Sequence, residues 1–240
     1  MEMNMGKAVD KNAYYNLRFE RKFVFTNQSL EDVLNFTVHT NSFLFSEIFH
    51  ERTVNNIYFD DGDLTCYKQN VSGVDIREKY RLRWYGKEFH AIEKSTLEVK
   101  KKFGDVGDKI SFKLKDFNVD LRTQSADAVH NQLLQRISEE NNPALLGKLQ
   151  NLFPTLYNSY DRRYFLSQCG NFRITLDYHM KFYNPNYADF YASEMTTNDV
   201  VLELKYNREH DDESRLLSQE INSRLSKNSK YVRGVEAISF

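Results

Sequence analysis

Five segments of this chain carry a charged or polar residue at every second position, and that spacing constrains the fold more than any other feature of the sequence. Successive side chains of a strand point to opposite faces, so residues two apart share one face. Over residues 17–25, Arg18, Glu20 and Lys22 fall together opposite Phe19, Phe23 and Phe25, with Arg21 on the aromatic side. Over 78–85, Lys79, Arg81 and Arg83 oppose Tyr80, Leu82 and Trp84; over 96–103, Glu98, Lys100 and Lys102 oppose Leu97 and Val99. Over 172–178, Arg173, Thr175 and Asp177 oppose Phe172, Ile174 and Leu176; over 200–206, Glu203 and Lys205 oppose Leu202, Leu204 and Tyr206.

A one-sided sheet with a solvated outer face also alternates. Such a face mixes Ser, Thr, Asn, Gln, Glu and Lys, whereas here Arg and Lys recur in strand after strand with sparse Glu among them. Arg81 and Arg83 on one face repel each other unless an anion lies between them. A closed antiparallel β-barrel resolves this, with the charged face lining the lumen and several α-helices covering the apolar outside. A barrel of about eight strands has room for side chains and one ligand. Buried charge needs partners, so Glu residues offset some bases and a phosphate chain offsets the rest. Arg grips phosphate oxygens with its planar fork, and Lys serves as a mobile point charge. The expected ligand is a polyanion such as triphosphate or polyphosphate.

The expected class is α+β. Strands are read at 17–25, 55–60, 78–85, 96–103, 109–114, 157–166, 172–178 and 200–206. A helix is read at 29–40, where Ser29 caps and Glu31 and Asp32 occupy the first turn. Two more helical pieces fill 125–152, the second opened by Pro143, and another runs over 212–226. The 15 Tyr and 18 Phe against 3 Pro and 9 Gly favour regular strands. With no repeat or linker-like stretch, 17–240 reads as one domain behind an N-terminal extension, 1–16.

A net charge of −1, from 33 Lys+Arg and 34 Asp+Glu, argues against a nucleic-acid binder, so any anion site arises from local clustering. Cys66 and Cys169 read as reduced thiols of a cytoplasmic protein. The His residues show no zinc-site spacing, and no apolar run reaches membrane length. Asp60 and Asp61, beside Gly62, read as turn residues, and His130 and His179 as surface or capping residues.

Glu20-Arg21-Lys22, Tyr58-Phe59-Asp60, Arg81-Leu82-Arg83-Trp84-Tyr85, Glu98-Val99-Lys100 and Glu203-Leu204-Lys205 occur in an order that resembles the VTC (vacuolar transporter chaperone) domain. That domain is the polyphosphate polymerase branch of the triphosphate tunnel metalloenzymes, and the chain is similar to its stand-alone bacterial form. The resemblance runs from Arg18 to Gly234 and includes Ser226-Lys227-Asn228-Ser229-Lys230-Tyr231. It implies transfer of the γ-phosphate of ATP to a growing polyphosphate chain inside the tunnel, with Mn²⁺ or Mg²⁺. On the matching positions, Lys22, Arg81, Arg83 and Lys100 resemble phosphate-binding tunnel residues, and Arg162 (in Tyr160-Asp161-Arg162) and Arg173 continue the set. Glu203 resembles the metal-binding carboxylate and Lys205 its basic partner. Lys227 and Lys230 resemble the pair that closes one end. In Lys109-Ile110-Ser111, Ser111 stands where the family carries Arg, which leaves Lys109 or Lys113 to supply the charge.

Two alternatives stay open. A non-catalytic polyphosphate or nucleotide sensor is compatible with Ser111. A triphosphate hydrolase of the same fold is disfavoured by Arg18-x-Glu20-x-Lys22, because the hydrolases carry a second carboxylate where Arg18 stands. Glu20 and Glu98 are read as salt-bridge partners of Lys22 and Lys100 in preference to extra metal ligands, because isolated buried bases need partners, and Asp177 as either a metal ligand or a surface residue. The resemblance implies ATP and polyphosphate as partners and allows recruitment to a membrane partner. An aromatic residue at the mouth is suited to stacking on adenine, but the sequence singles out none.

Overall fold

The computed structural model describes residues 18–103 and 106–239; the expected extension, 1–16, and the side chain of Arg18 lie outside them. The strands are β1 (Arg18–Phe25), β2 (Phe45–Asp60), β3 (Ile76–Tyr85), β4 (Ala91–Ile92), β5 (Thr96–Phe103), β6 (Val106–Lys113), β7 (Val119–Asp120), β8 (Phe153–Ser167), β9 (Arg173–Tyr183), β10 (Met195–Thr197) and β11 (Val200–Asn207). The helices are α1 (Leu30–Val33), α2 (Thr65–Val71), α3 (Ala126–Glu139), α4 (Pro143–Leu149), α5 (Asp211–Gln219) and α6 (Lys230–Ile238). Antiparallel pairing runs in the order β1-β11-β9-β8-β2-β3-β5-β6, with β10 beside β9, and β4 and β7 form a separate ribbon.

The class is α+β, as expected, but hydrogen bonds do not close the sheet into a barrel. No ladder joins β1 to β6 among the described residues. The two edges do come together, and Lys100 Nζ on β5 reaches Glu20 Oε2 on β1 at 2.9 Å. Ladder pairing needs backbones about 4.8 Å apart; along this seam a pair of long side chains makes the connection instead.

Alternation translates into burial. On β3, Tyr80, Leu82 and Trp84 are buried while Lys79, Arg81 and Arg83 are half-buried. The apolar face is backed by two clusters. In one, Leu82, Trp84, Leu97 and Val99 pack with Leu133, Ile137 and Leu149 of α3 and α4 and with the β4–β7 ribbon. In the other, Phe23, Leu202, Leu204, Ile174 and Leu176 pack with Val33, Leu34 and Val38 and with Leu217 of α5. His130, expected at the surface or as a cap, is buried, with Nε2 3.1 Å from the Leu149 carbonyl oxygen.

Several boundaries differ from expectation. β2 begins ten residues before its expected start, because register shifts near Glu47, Phe49 and Arg52 break the alternation in its first half. The helix expected over 29–40 is a capped turn, in which Asp32 N donates to Ser29 Oγ at 3.1 Å, followed by a π-helical turn over 34–38. α5 stops at Gln219 rather than 226, and Glu220 instead accepts a hydrogen bond from Ser42 N at 2.7 Å. α2 is anchored by Asp60, whose carboxylate accepts from Cys66 N at 2.8 Å and Tyr67 N at 2.9 Å. Asp60 is thus a helix anchor, and Asp61 a turn residue that accepts from Asp63 N and Thr65 N.

α6 lies beyond the expected 212–226 helix, in a stretch for which no element is expected from the sequence. Ser229 caps it, the Tyr231 hydroxyl donates to Asp60 at 2.5 Å, and Tyr231 stacks on Tyr58 at 5.2 Å. Gly234 sits so close to β8 and β9 that a Cβ there would meet Leu156 Cδ2 at 2.3 Å and Phe182 Cδ1 at 2.7 Å. Gly234→Val is expected to destabilise the protein by about 1–3 kcal/mol through overpacking, read as a lower urea midpoint. An unchanged midpoint would mean that α6 is not seated this way.

Candidate functional site

The charged face gathers around four carboxylates, each placed by strand register. Glu98 lies opposite Arg81 on the neighbouring strand and accepts from Arg81 Nε at 2.7 Å and Lys109 Nζ at 3.0 Å, with Arg83 Nη1 at 3.6 Å. Burial pushes its carboxyl up, but Arg81 and Arg83 outweigh that and hold it at about 2. Asp177, fully buried on β9, lies opposite Arg162. It accepts from Arg162 Nη2 at 2.7 Å and also from Lys230. Burial again opposes ionisation, and Arg162 and Lys230 hold the group at about 2.

Glu203 on β11 pairs with Lys205 at 2.7 Å and with Lys22, its cross-strand neighbour, at 3.8 Å. Against burial, these bases keep it well below the usual carboxylate range. Glu20 pairs with Lys100. Glu20 and Glu98 therefore do form salt bridges, but with different partners from those expected. Glu20 takes Lys100 rather than Lys22, and Glu98 takes Arg81, Arg83 and Lys109 rather than Lys100. Arg81 is the cross-strand neighbour of Glu98 and lies closer than a residue two along the same strand, whereas Lys100 meets Glu20 across the open edge, where β1 and β5 share no ladder. Asp177, left open between metal ligand and surface residue, is neither exposed nor unpaired.

The bases outnumber these carboxylates. Lys79, opposite Lys100, donates among the described residues only to Ser229 Oγ, at 2.9 Å. Burial and then the charges of Lys22 and Lys100 drive its ammonium well below the usual lysine range. Neutral groups complete the face. Asn56 accepts from Arg83 Nε at 3.0 Å, Tyr160 accepts from Arg83 Nη2 at 3.3 Å, and the Tyr160 ring lies 5.2 Å from Arg162 and 4.6 Å from Lys230.

The structure thus brings together Lys22, Arg81, Arg83, Lys100, Lys109, Arg162, Lys205, Lys230 and Glu203. Lys109, itself exposed, reaches Glu98 beside Ser111, and Lys113 makes no such ion pair among the described residues. Arg173, at the start of β9, and Lys227, before α6, are exposed and stand apart from these contacts. Sequence reasoning passed over Lys79, Asn56, Tyr160 and Tyr58, whose hydroxyl accepts from Arg81 Nη1 at 3.4 Å. Lys79 was visible in the alternation of β3; the three neutral residues carry no charge signal. No group of three or more His, Cys, Asp or Glu is placed to hold a metal among the described residues.

The model of the VTC domain family matches residues 17–239. No curated protein matches the chain. Among solved structures, a candidate adenylate cyclase from Vibrio parahaemolyticus aligns at 15% identity over 92% of this chain and 98% of its own, with a TM-score of 0.48. A candidate adenylyl cyclase from Hippeastrum, described as having a dominant triphosphatase activity, aligns at 11% identity over 90% of this chain and 94% of its own, with a TM-score of 0.50, a likeness of fold.

The depressed carboxylates predict acid sensitivity. A carboxylate whose pKa falls on folding contributes stability that is complete above its unfolded pKa and is lost as pH falls through its folded one. With Glu98 and Asp177 both at about 2, the urea midpoint should hold above about pH 5 and drop steeply between about pH 4 and 2. Asp177→Asn should flatten part of that drop and cost about 3–5 kcal/mol at neutral pH, because Arg162 and Lys230 lose their counter-charge. An acid profile identical to wild type would remove Asp177 from this role.

Proposed function

The chain belongs to the VTC domain family, and from that premise we propose that it is an ATP-dependent polyphosphate polymerase, working in a basic tunnel completed when a phosphate chain occupies the curled charged face. The observation that carries the reading is the uncompensated base on that face. Glu98 and Asp177 are each shared among several cations, and Lys79 has like charges for neighbours. A phosphate chain is the ligand that would balance such a surface.

In this reading a terminal phosphate oxygen of the growing chain attacks the γ-phosphorus of ATP. The bond from that phosphorus to the β–γ bridging oxygen breaks, and ADP leaves. The chain's own residues position and neutralise, which is most of what phosphoryl transfer requires. Arg81, Arg83, Arg162 and Lys230 clamp non-bridging oxygens; Lys22, Lys79, Lys100, Lys109 and Lys205 extend the basic track; Arg173 and Lys227 serve its rim.

A divalent ion fits the donors present. Glu203 and Glu20 supply hard oxygens, and the Thr175 hydroxyl, opposite Glu203 in register, is buried without a hydrogen-bond partner. Mn²⁺ or Mg²⁺ keeps waters and substrate phosphates as ligands, so one or two carboxylates suffice. Bound there, the ion would offset charge on phosphate oxygens. We place the activity in the cytoplasm, a reading supported by two cysteines that are free thiols.

Purified protein given ATP and Mn²⁺ should accumulate acid-insoluble polyphosphate. Free phosphate without chain would replace the polymerase with a hydrolase, and binding without turnover would leave a sensor. Glu203→Gln should lower turnover by about two orders of magnitude while tripolyphosphate affinity stays within about threefold, a loss of under 1 kcal/mol. Unchanged turnover would sink the metal assignment.

A further inference from the structure

The inner face changes character at the end away from α6. Asn56 on β2 lies opposite Arg83 and Asn158, within the charged face. Two and four residues earlier, Val54 and Arg52 share that face. Val54 sits between Tyr85 and Tyr160, and Arg52 lies opposite Arg162. The Arg52 guanidinium stands over three rings, at 5.2 Å from Phe49, 5.7 Å from Tyr164 and 5.9 Å from Tyr85. Phe49 and Tyr164 meet edge to face at 5.8 Å.

Two properties separate this cluster from ordinary packing. Phe49 and Tyr85 are each 51% exposed, so large ring faces are left open. Arg52 makes no salt bridge among the described residues, in contrast to Arg81, Arg162 and Arg163. Its charge is met by aromatic faces alone. A guanidinium and open rings form a platform for flat π-systems. The platform is continuous with the proposed phosphate track, because Arg162 stands one register position from the rings and Arg83 lies two residues before Tyr85.

We propose that Phe49, Arg52, Tyr85 and Tyr164 form the nucleobase site at the tunnel mouth, where the base of a nucleoside triphosphate stacks while its phosphates run inward to Arg162 and Arg83. The proposal rests on the polymerase reading of the charged face and adds how a nucleotide donor is told from bare triphosphate or from the phosphate chain itself. Stacking reads the π-face rather than the edge of a base, so ATP and GTP should bind within a few-fold of each other.

The test is calorimetric titration of the full chain with ATP and with inorganic tripolyphosphate, without divalent ion so that neither is consumed. Tyr85→Ala and Arg52→Ala should each weaken ATP by about tenfold or more and leave tripolyphosphate within about twofold. Tyr85→Phe, which keeps the ring, should retain ATP affinity, and unchanged thermal midpoints would show that the variants fold. Equal losses for both ligands, or no loss for ATP, would overturn the site alone. Wild-type protein that binds neither ligand would overturn the tunnel reading and the site with it.

Discussion

Mutual repulsion among bases on one face of a curved sheet is the constraint around which the rest of the molecule is arranged. Arg81, Arg83, Arg162, Lys22, Lys79, Lys100 and Lys230 crowd a half-buried surface where screening is weak. Glu98, Asp177 and Glu203 answer part of that charge from register, each with a base directly opposite on the neighbouring strand, and Glu20 answers Lys100 across the open seam. The apolar backing opposes the remaining repulsion. Phe23, Leu82, Trp84, Leu202 and Leu204 fix the strands from outside, so the charged side chains cannot escape by letting the sheet flatten.

The division between inside and outside also explains which charges do not belong to the site. Arg21, on β1, points to the apolar side, where its Nε donates to the Tyr206 hydroxyl at 2.7 Å and its Nη2 to Asp211 at 3.0 Å, pinning α5 to the sheet. Lys22, the next residue, faces inward and donates to the Asn228 carbonyl at 3.0 Å. One step along the strand turns a structural base into a candidate phosphate ligand. Asn228 in turn leads into α6, which carries Lys230 to Asp177, so the last helix both covers one end of the charged face and adds to its charge.

The alternation was legible in the sequence because a strand's side-chain period is two and an apolar residue opposed nearly every base. Most of the clustered bases follow from that pattern, and the family motifs selected among them. Local irregularity concealed the rest. The first half of β2 hid behind its bulges, and Arg52 with it. α6 hid because Gly234 interrupts a short apolar stripe; its reason, the approach of Leu156 and Phe182, is tertiary. Asp177 has the same sequence surroundings whether it is buried or solvated, and its partners come from elsewhere, Arg162 from the neighbouring strand and Lys230 from 53 residues downstream. The partner of Glu98 was likewise a question of register, and that of Glu20 a question of how the sheet's two edges meet; no single strand contains either.

The seam between β1 and the β5–β6 end of the sheet has one further consequence. A wall of continuous backbone hydrogen bonds admits a polymer only end-first. Here the junction is held at Lys100 and Glu20, both partly exposed, and an exposed ion pair weakens as ionic strength rises. In the tunnel reading, a phosphate chain that pairs with Lys100 competes with the ion pair that joins the two edges of the wall, so the ligand and the seam share one lysine.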